Sequence, residues 1–180
     1  MKVIEYEERV LISKDDYENV IADTKLLGKP MSFLSIENIY LDNKEKLIRK
    51  NDWMLRIRTT NNQSKELTLK IRNLDNSNIE INETLDSHPE IEKVLGESLV
   101  NFQEIVRLKT ERIEVQFGDY LLVIDKNEYS NITDYDLEIE SDNQEKSKKI
   151  LDIYCEKYGL SYDHNYKTKS KRAFETIKEK

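Results

Sequence analysis

The chain has 180 residues and a formal net charge of −7 at pH 7, and 36% of its residues are charged. This charge balance argues against a broad surface for nucleic acid or for an acidic membrane, and leaves room only for a local basic pocket. The ten Tyr residues and a clear apolar periodicity argue against disorder, and the length favours one domain over residues 1–180 with a substantial core.

Cysteine usage and hydropathy indicate the cellular compartment. Cys155 is the single cysteine, which excludes an internal disulfide and fits a reducing cytosol. No apolar run approaches the ~20 residues of a membrane span, and the first residues lack the apolar core of a signal peptide. We therefore expect a cytoplasmic protein without a membrane partner, and the sequence leaves its oligomeric state open between monomer and homodimer.

The first predicted strand covers residues 3–9 and has two unlike faces. Tyr6 lies on one face, whereas Glu5, Glu7 and Arg9 alternate along the other. Taken alone, such a strand is typical of a half-buried sheet with its charges in water. The repetition of this pattern in later strands makes that interpretation less attractive here.

The remaining elements follow from apolar periodicity and from turn residues. Further strands are predicted over residues 35–42, 53–59, 66–72, 79–85, 110–117, 120–126 and 135–140. Helices are predicted after Ser13, from Pro89, through Phe102 and Val106, up to Gly159, and from about Ser170. Asn61-Asn62 and Gly118-Asp119 predict tight turns between neighbouring strands.

The polar faces of these strands carry many charges. They comprise Glu5, Glu7, Arg9, Arg56, Arg58, Lys70, Arg72, Glu80, Arg112, Glu114, Asp125, Asp136, Glu138 and Glu140. The opposite face of each strand is largely apolar and must be buried, which predicts amphipathic helices packed against it. The charged face then either lies in bulk water on an open sheet or lines the lumen of a closed barrel.

The distribution of charge types bears on that choice. Four carboxylates crowd onto the first and last strands, and most of the basic side chains come from the strands between them. Crowded carboxylates repel one another unless a cation lies among them, and clustered guanidinium groups favour planar anions. Both demands are met by a polyphosphate bound with Mg²⁺ or Mn²⁺.

Several of these strands also match a known family. The matching motifs, in order, are Glu5-x-Glu7-x-Arg9, Leu55-Arg56-Ile57-Arg58, Leu67-Thr68-Leu69-Lys70, Arg112, Asp125, the run 134–140, and Thr168-Lys169-Ser170-Lys171-Arg172. This ordered set resembles the CYTH superfamily, the triphosphate tunnel metalloenzymes, and is most similar to its small bacterial single-domain members, called YjbK-like.

The resemblance implies a fold and a site. The implied fold is α+β, a closed antiparallel eight-stranded β-barrel whose charged lumen forms a tunnel, with helices packed outside. The implied metal ligands are Glu5, Glu7, Asp125, Asp136, Glu138 and Glu140. The implied triphosphate-binding residues are Arg9, Arg56, Arg58, Lys70, Arg112, Lys169 and Arg172. Arg9, Glu138 and Glu140 are the implied catalytic residues.

The implied activity is metal-dependent hydrolysis of a small triphosphate, with inorganic tripolyphosphate as the leading substrate and Mg²⁺ or Mn²⁺ as the cofactor. A class IV adenylate cyclase, a thiamine triphosphatase and a non-catalytic polyphosphate- or nucleotide-binding protein are the alternatives. Two positions depart from the family pattern. Arg9 replaces a usual Lys, and Thr110 stands where many members carry a Lys, with Lys109 out of phase.

Overall fold

The computed structural model describes residues 6–72, 78–162 and 167–177. Eight strands form one antiparallel sheet, and the helices flank them in sequence. The strands are β1 (Tyr6–Ile12), β2 (Ser32–Asp42), β3 (Met54–Thr60), β4 (Ser64–Arg72), β5 (Asn78–Glu83), β6 (Gln103–Phe117), β7 (Tyr120–Tyr129) and β8 (Ile132–Ser141). The α-helices are α1 (Lys14–Leu26), α2 (Leu47–Lys50), α3 (Pro89–Leu95), α4 (Gln144–Tyr158) and α5 (Lys169–Glu175).

The strand order in this sheet is β1-β8-β7-β6-β2-β3-β4-β5. The predicted eight antiparallel strands and flanking helices are thus confirmed. Within the described residues β1 and β5 stand at the two ends of this order. Closure of the sheet into a barrel is not confirmed and stays a prediction.

The chain divides into two compact units. Unit 1 comprises Met1–Leu34 with Thr110–Lys167, and unit 2 comprises Ser35–Lys109 with Thr168–Lys180. The expectation of a single domain over residues 1–180 stays a prediction. None of the helices in the described part of the chain is long and apolar enough to cross a membrane.

Unit 1 buries one face of its strands against two helices. α4 packs on β1 and β8, and α1 packs on β8. The shared core contains Val10, Ile12, Val20, Ile113, Val115, Leu122, Ile124, Leu137, Ile139, Leu151 and Cys155. Each fully buried Leu or Ile contributes about 1.5–3 kcal/mol to folding. The opposite face of these strands is therefore left for the polar side chains.

Local signals explain where the helices of unit 1 begin and end. The Ser13 hydroxyl accepts a hydrogen bond from the backbone N–H of Asp16, 3.1 Å away, which caps α1. Asn143 caps α4 in the same way through Lys146 N–H. Gly159 ends α4 at φ +65°, a backbone conformation that favours glycine. The boundaries at Ser13 and Gly159 confirm those predicted from the sequence, and the Asn143 cap adds to them.

Unit 2 has its own core between its strands and short helices. It contains Leu41, Ile48, Leu55, Leu67, Leu69, Ile91, Leu95 and Phe102. Asp42, which is fully buried at the end of β2, closes the following turn. Its carboxylate accepts hydrogen bonds from the Ile48 N–H and the Arg49 Nε, both at 2.9 Å. The polar composition of residues 43–51 predicts a loop or a short helix, and the structure shows a turn that contains the short helix α2.

One predicted element is wrong. The helical stretch expected through Phe102 and Val106 is instead the start of β6, a strand of 15 residues preceded by a single 3₁₀ turn, Leu99–Asn101. Val106, Leu108 and Thr110 are buried while the residues between them are exposed. The four-residue spacing of Phe102 and Val106 resembles a helix, but the buried positions Val106, Leu108 and Thr110 repeat every two residues, as in a strand.

Candidate functional site

Unit 1 collects carboxylates on the face opposite its core. Glu7 pairs with Glu140 across β1 and β8, and Arg9 pairs with Glu138. Across β7 and β8, Asp125 lies opposite Asp136. Directly opposed residues project to the same side of a sheet. We call Glu7, Asp125, Asp136, Glu138 and Glu140 the carboxylate cluster; the also predicted Glu5 lies outside the described residues.

Arg112 binds directly to this cluster. Its Nε donates to Asp125 Oδ1 at 2.9 Å, and its Nη2 donates to Asp125 Oδ2 at 2.8 Å and to Glu138 Oε2 at 3.2 Å. Burial lowers the pKa of Arg112, but the neighbouring Asp125 and Glu138 carboxylates raise it by more, so the net shift is upward. Arg112, predicted as a phosphate ligand, lies in this structure as the counter-ion of the buried acids.

Arg9 is the second cation of the carboxylate cluster. Its guanidinium forms an ion pair with Glu7, and its Nη1 lies 3.7 Å from Glu138 Oε1. Glu138 is 1% exposed, so it is a buried carboxylate between two guanidinium groups. A buried charge needs such partners, because without them its desolvation would cost several kcal/mol.

The donor chemistry of the carboxylate cluster suits a hard divalent cation. All of its ligand atoms are carboxylate oxygens, the donors that such cations prefer. Among the described residues no three Asp, Glu, His or Cys side chains are arranged to hold a metal ion. Arg9 and Arg112 contact the carboxylates directly instead. The residues fit a divalent cation in chemistry, and the arrangement seen here is the one that the arginines stabilise.

Unit 2 carries basic side chains on one face of its strands. Arg56 lies opposite Tyr40 on β2 and Thr68 on β4, and Arg58 lies opposite Asn38 and Glu66. Lys70 lies on the same face, opposite Glu80 on β5. We call Arg56, Arg58, Lys70, Lys169 and Arg172 the basic cluster. Glu66 and Glu80 therefore interrupt it with two carboxylates.

Tyr40 is the buried centre of this basic face. It is 2% exposed, and its ring meets Phe174 of α5 edge to face with centroids 5.2 Å apart. Burial raises the pKa of Tyr40, and the positive charges of Arg56, Arg58 and Lys169 oppose that rise. Lys169 therefore lies within electrostatic reach of Tyr40. Arg172 lies one turn further along α5 and is 9% exposed.

A polar cavity of about 300 Å³ continues this face of unit 2 beyond Arg58. Its wall includes the hydroxyls of Thr60, Ser64 and Thr84 and the amide of Asn82. Glu66 adds a carboxylate, and its Oε1 accepts a hydrogen bond from Thr68. The cavity is small and offers hydrogen-bonding groups beside a guanidinium, so it is suited to a compact polar ligand.

The sequence of this chain matches a known domain family. A family model described as the CYTH domain covers residues 3–171. The chain belongs to the CYTH domain family. The family expected from the ordered motifs is thereby confirmed, and the YjbK-like subtype stays a prediction. No curated protein matches the CYTH chain in a sequence search.

Solved structures show the same fold. A putative adenylate cyclase from Bacillus halodurans superposes with a TM-score of 0.77 at 21% identity, over 95% of this CYTH chain and 97% of that chain. The putative adenylyl cyclase HpAC1 from Hippeastrum gives a TM-score of 0.70 at 20% identity, over 96% and 94%. PH1819 from Pyrococcus horikoshii OT3 gives 0.64 at 20% identity, over 96% and 99%.

Three polar residues near the candidate site of this CYTH chain were not singled out from the sequence. Tyr40 and Asn38 lie on the basic face, where Asn38 Oδ1 accepts a hydrogen bond from Arg58 Nε at 3.0 Å. Asn127 donates to Asp136 within the carboxylate cluster. Strand alternation places Tyr40 on the face opposite Ile39 and Leu41, and this was the available signal. An aromatic residue on a polar face can belong to the core or to a site, and the sequence does not distinguish the two until its cross-strand partner is known.

Replacing Tyr40 with Phe should destabilise the protein. Tyr40 is buried within electrostatic reach of Arg56, whose Nε is buried and has no hydrogen-bond partner among the described residues. Loss of the hydroxyl removes a polar oxygen from the surroundings of this guanidinium, which costs about 1–3 kcal/mol. Urea unfolding followed by circular dichroism measures this change. The exposed Tyr6→Phe variant is the control and should stay within about 0.5 kcal/mol, and an equal stability of both variants would contradict the role of Tyr40.

Proposed function

We propose that this CYTH protein hydrolyses a small triphosphate with the help of a divalent cation, and that inorganic tripolyphosphate is its first candidate substrate. The observation that carries this proposal is the separation of charge between two groups of residues. Buried carboxylates collect in one cluster, and Arg56, Arg58 and Lys169 gather around Tyr40 in another. A metal triphosphate needs both kinds of group.

The residues of each cluster have distinct roles in this proposal. Glu7, Glu138 and Glu140, with Asp125, Asp136 and the undescribed Glu5, would hold Mg²⁺ or Mn²⁺. The cation would neutralise phosphate charge and lower the pKa of a bound water. Arg56, Arg58, Lys70 and Lys169 would bind the phosphate oxygens, and Arg172 would support them. Positioning and charge neutralisation supply most of the acceleration in phosphoryl transfer.

Arg9 and Arg112 would have a double role. In this structure both guanidinium groups neutralise Glu138. A cation bound to the same carboxylates would compete with them. The released guanidinium donors could then bind a phosphate, for which their planar, bidentate geometry is suited. Closure of the eight strands into a barrel with a charged lumen is part of this proposal.

The Hippeastrum relative supports hydrolysis as the reaction, since it is described as having a dominant triphosphatase activity. The description of the Bacillus halodurans relative as a putative adenylate cyclase favours a second candidate, cyclisation of ATP. Thiamine triphosphate hydrolysis and triphosphate binding without turnover are the remaining alternatives. These activities differ in their products, so one assay separates them.

The deciding experiment measures phosphate release from tripolyphosphate, ATP and thiamine triphosphate with Mg²⁺, Mn²⁺ or a chelator. We expect metal-dependent release, fastest from tripolyphosphate, and none with the chelator. Formation of cyclic AMP with pyrophosphate in the ATP sample would instead establish the cyclase. No turnover, with tripolyphosphate still raising the melting temperature, would contradict hydrolysis and support a binding protein.

A further inference from the structure

A buried hydrogen-bond chain runs across three strands of unit 1 and ends on Asp136. The Thr110 hydroxyl on β6 donates to Asn127 Oδ1 on β7 at 2.8 Å. Asn127 Nδ2 donates to Asp136 Oδ2 on β8 at 2.6 Å and to Asp134 Oδ1 at 3.1 Å. Thr110 is 4% exposed, and Asn127 and Asp136 are fully buried. No step of the proposed reaction uses Thr110 or Asn127.

The direction of this chain is fixed by the chemistry of its groups. An ionised carboxylate only accepts hydrogen bonds, so the NH₂ side of Asn127 must face Asp134 and Asp136. The amide oxygen then faces Thr110, whose hydroxyl can donate to it. A flipped amide would bring its oxygen against two carboxylates. Thr110 therefore holds the orientation in which Asn127 stabilises Asp136.

Asn127 differs from Arg9 and Arg112, which bind the carboxylate cluster, because it adds no positive charge. Asp125, opposite Asp136 across the strand pair, is bound by both arms of the Arg112 guanidinium. Asp136 receives the neutral Asn127 amide through Oδ2. A neutral donor orients a carboxylate and keeps the negative charge that attracts a cation. A Lys or Arg in its place would cancel part of that charge.

We propose that Asn127, oriented by Thr110, is a positioning residue for the divalent cation through its hydrogen bond to Asp136. This inference rests on the proposed function, because it assigns Asp136 to the cation. The Thr110–Asn127 pair is a neutral, buried clamp on Asp136. Groups that orient metal ligands in this way typically change metal affinity 10- to 100-fold when they are removed.

The test compares two nearly isosteric variants at one position. Thr110→Val keeps the shape and removes the hydroxyl, whereas Thr110→Ser keeps the hydroxyl. Mn²⁺ affinity of the full chain is measured by the electron paramagnetic resonance signal of free Mn²⁺, without substrate. We expect Thr110→Val to weaken Mn²⁺ binding about 10-fold, Thr110→Ser to retain wild-type affinity, and Asn127→Leu to weaken it about 10- to 100-fold.

Unchanged Mn²⁺ affinity in Thr110→Val and Asn127→Leu would overturn the inference and leave the proposed function standing. An equal loss in Thr110→Ser and Thr110→Val would also overturn it, since packing and not the hydroxyl would then be responsible. If the wild-type protein bound no Mn²⁺, the proposed function would fail and this inference with it. If Asn127→Leu fails to fold, the comparison of Thr110→Val with Thr110→Ser decides alone.

Discussion

Glu138→Gln is expected to lower metal-dependent triphosphate hydrolysis at least about 100-fold in a protein that still folds. Glu138 is the carboxylate that both Arg9 and Arg112 approach, and it is 1% exposed. Gln has nearly the same shape and retains one oxygen to accept a hydrogen bond, but it carries no charge to hold a cation. Arg112 also keeps its two hydrogen bonds to Asp125. The measurement is phosphate release at saturating metal, with the urea midpoint recorded in parallel.

Glu111→Gln is the matched control for this loss of charge. Glu111 lies on β6 with its side chain 71% exposed, and its Oε2 is 3.4 Å from the Lys126 ammonium. Exposed pairs of this kind contribute about 0–1 kcal/mol, so both turnover and stability should stay close to wild type. Full activity in Glu138→Gln would show that the carboxylate cluster is not the cation site. Equal loss in the control would point to the overall negative charge instead.

The charged faces of this chain could be predicted from sequence because strand alternation is a local property. Arg56 and Arg58 alternate with apolar residues, and so do Glu138 and Glu140, and the structure keeps each pair on a polar face. β6 could be predicted only in its second half. The four-residue spacing of Phe102 and Val106 indicated a helix where the strand in fact begins at Gln103, and Lys109 is exposed.

Partners across strands could not be predicted in the same way. From the sequence, Arg112 is one more candidate phosphate-binding cation. Its hydrogen bonds to Asp125, seen only in the structure, identify it as the counter-ion of buried acids. Asn127 carries no signal in the sequence because its role depends on Thr110, 17 residues away, and on Asp136. Alternation identifies the face of a residue, but the register between strands selects its partner.

The ion pair of Arg112 with Asp125 leads to the largest expected effect on stability. Arg112→Met should lower the free energy of unfolding by about 3–5 kcal/mol, because it leaves the fully buried Asp125 without its guanidinium. Asp136 lies directly opposite Asp125, so the two carboxylates would also repel each other more strongly. Urea unfolding at neutral pH measures the loss, and addition of Mn²⁺ should recover part of it if a cation can replace the guanidinium.

The double variant Arg112→Met/Asp125→Leu distinguishes a buried charge from lost packing. Removing both partners eliminates the uncompensated carboxylate, so the double variant should be more stable than Arg112→Met alone. Arg107→Met is the control at an exposed arginine, which pairs with Glu104 and Glu37 and is 44% exposed. It should cost no more than about 1 kcal/mol. A double variant as unstable as Arg112→Met would mean that the aliphatic part of Arg112, and not its charge, supports the fold of unit 1.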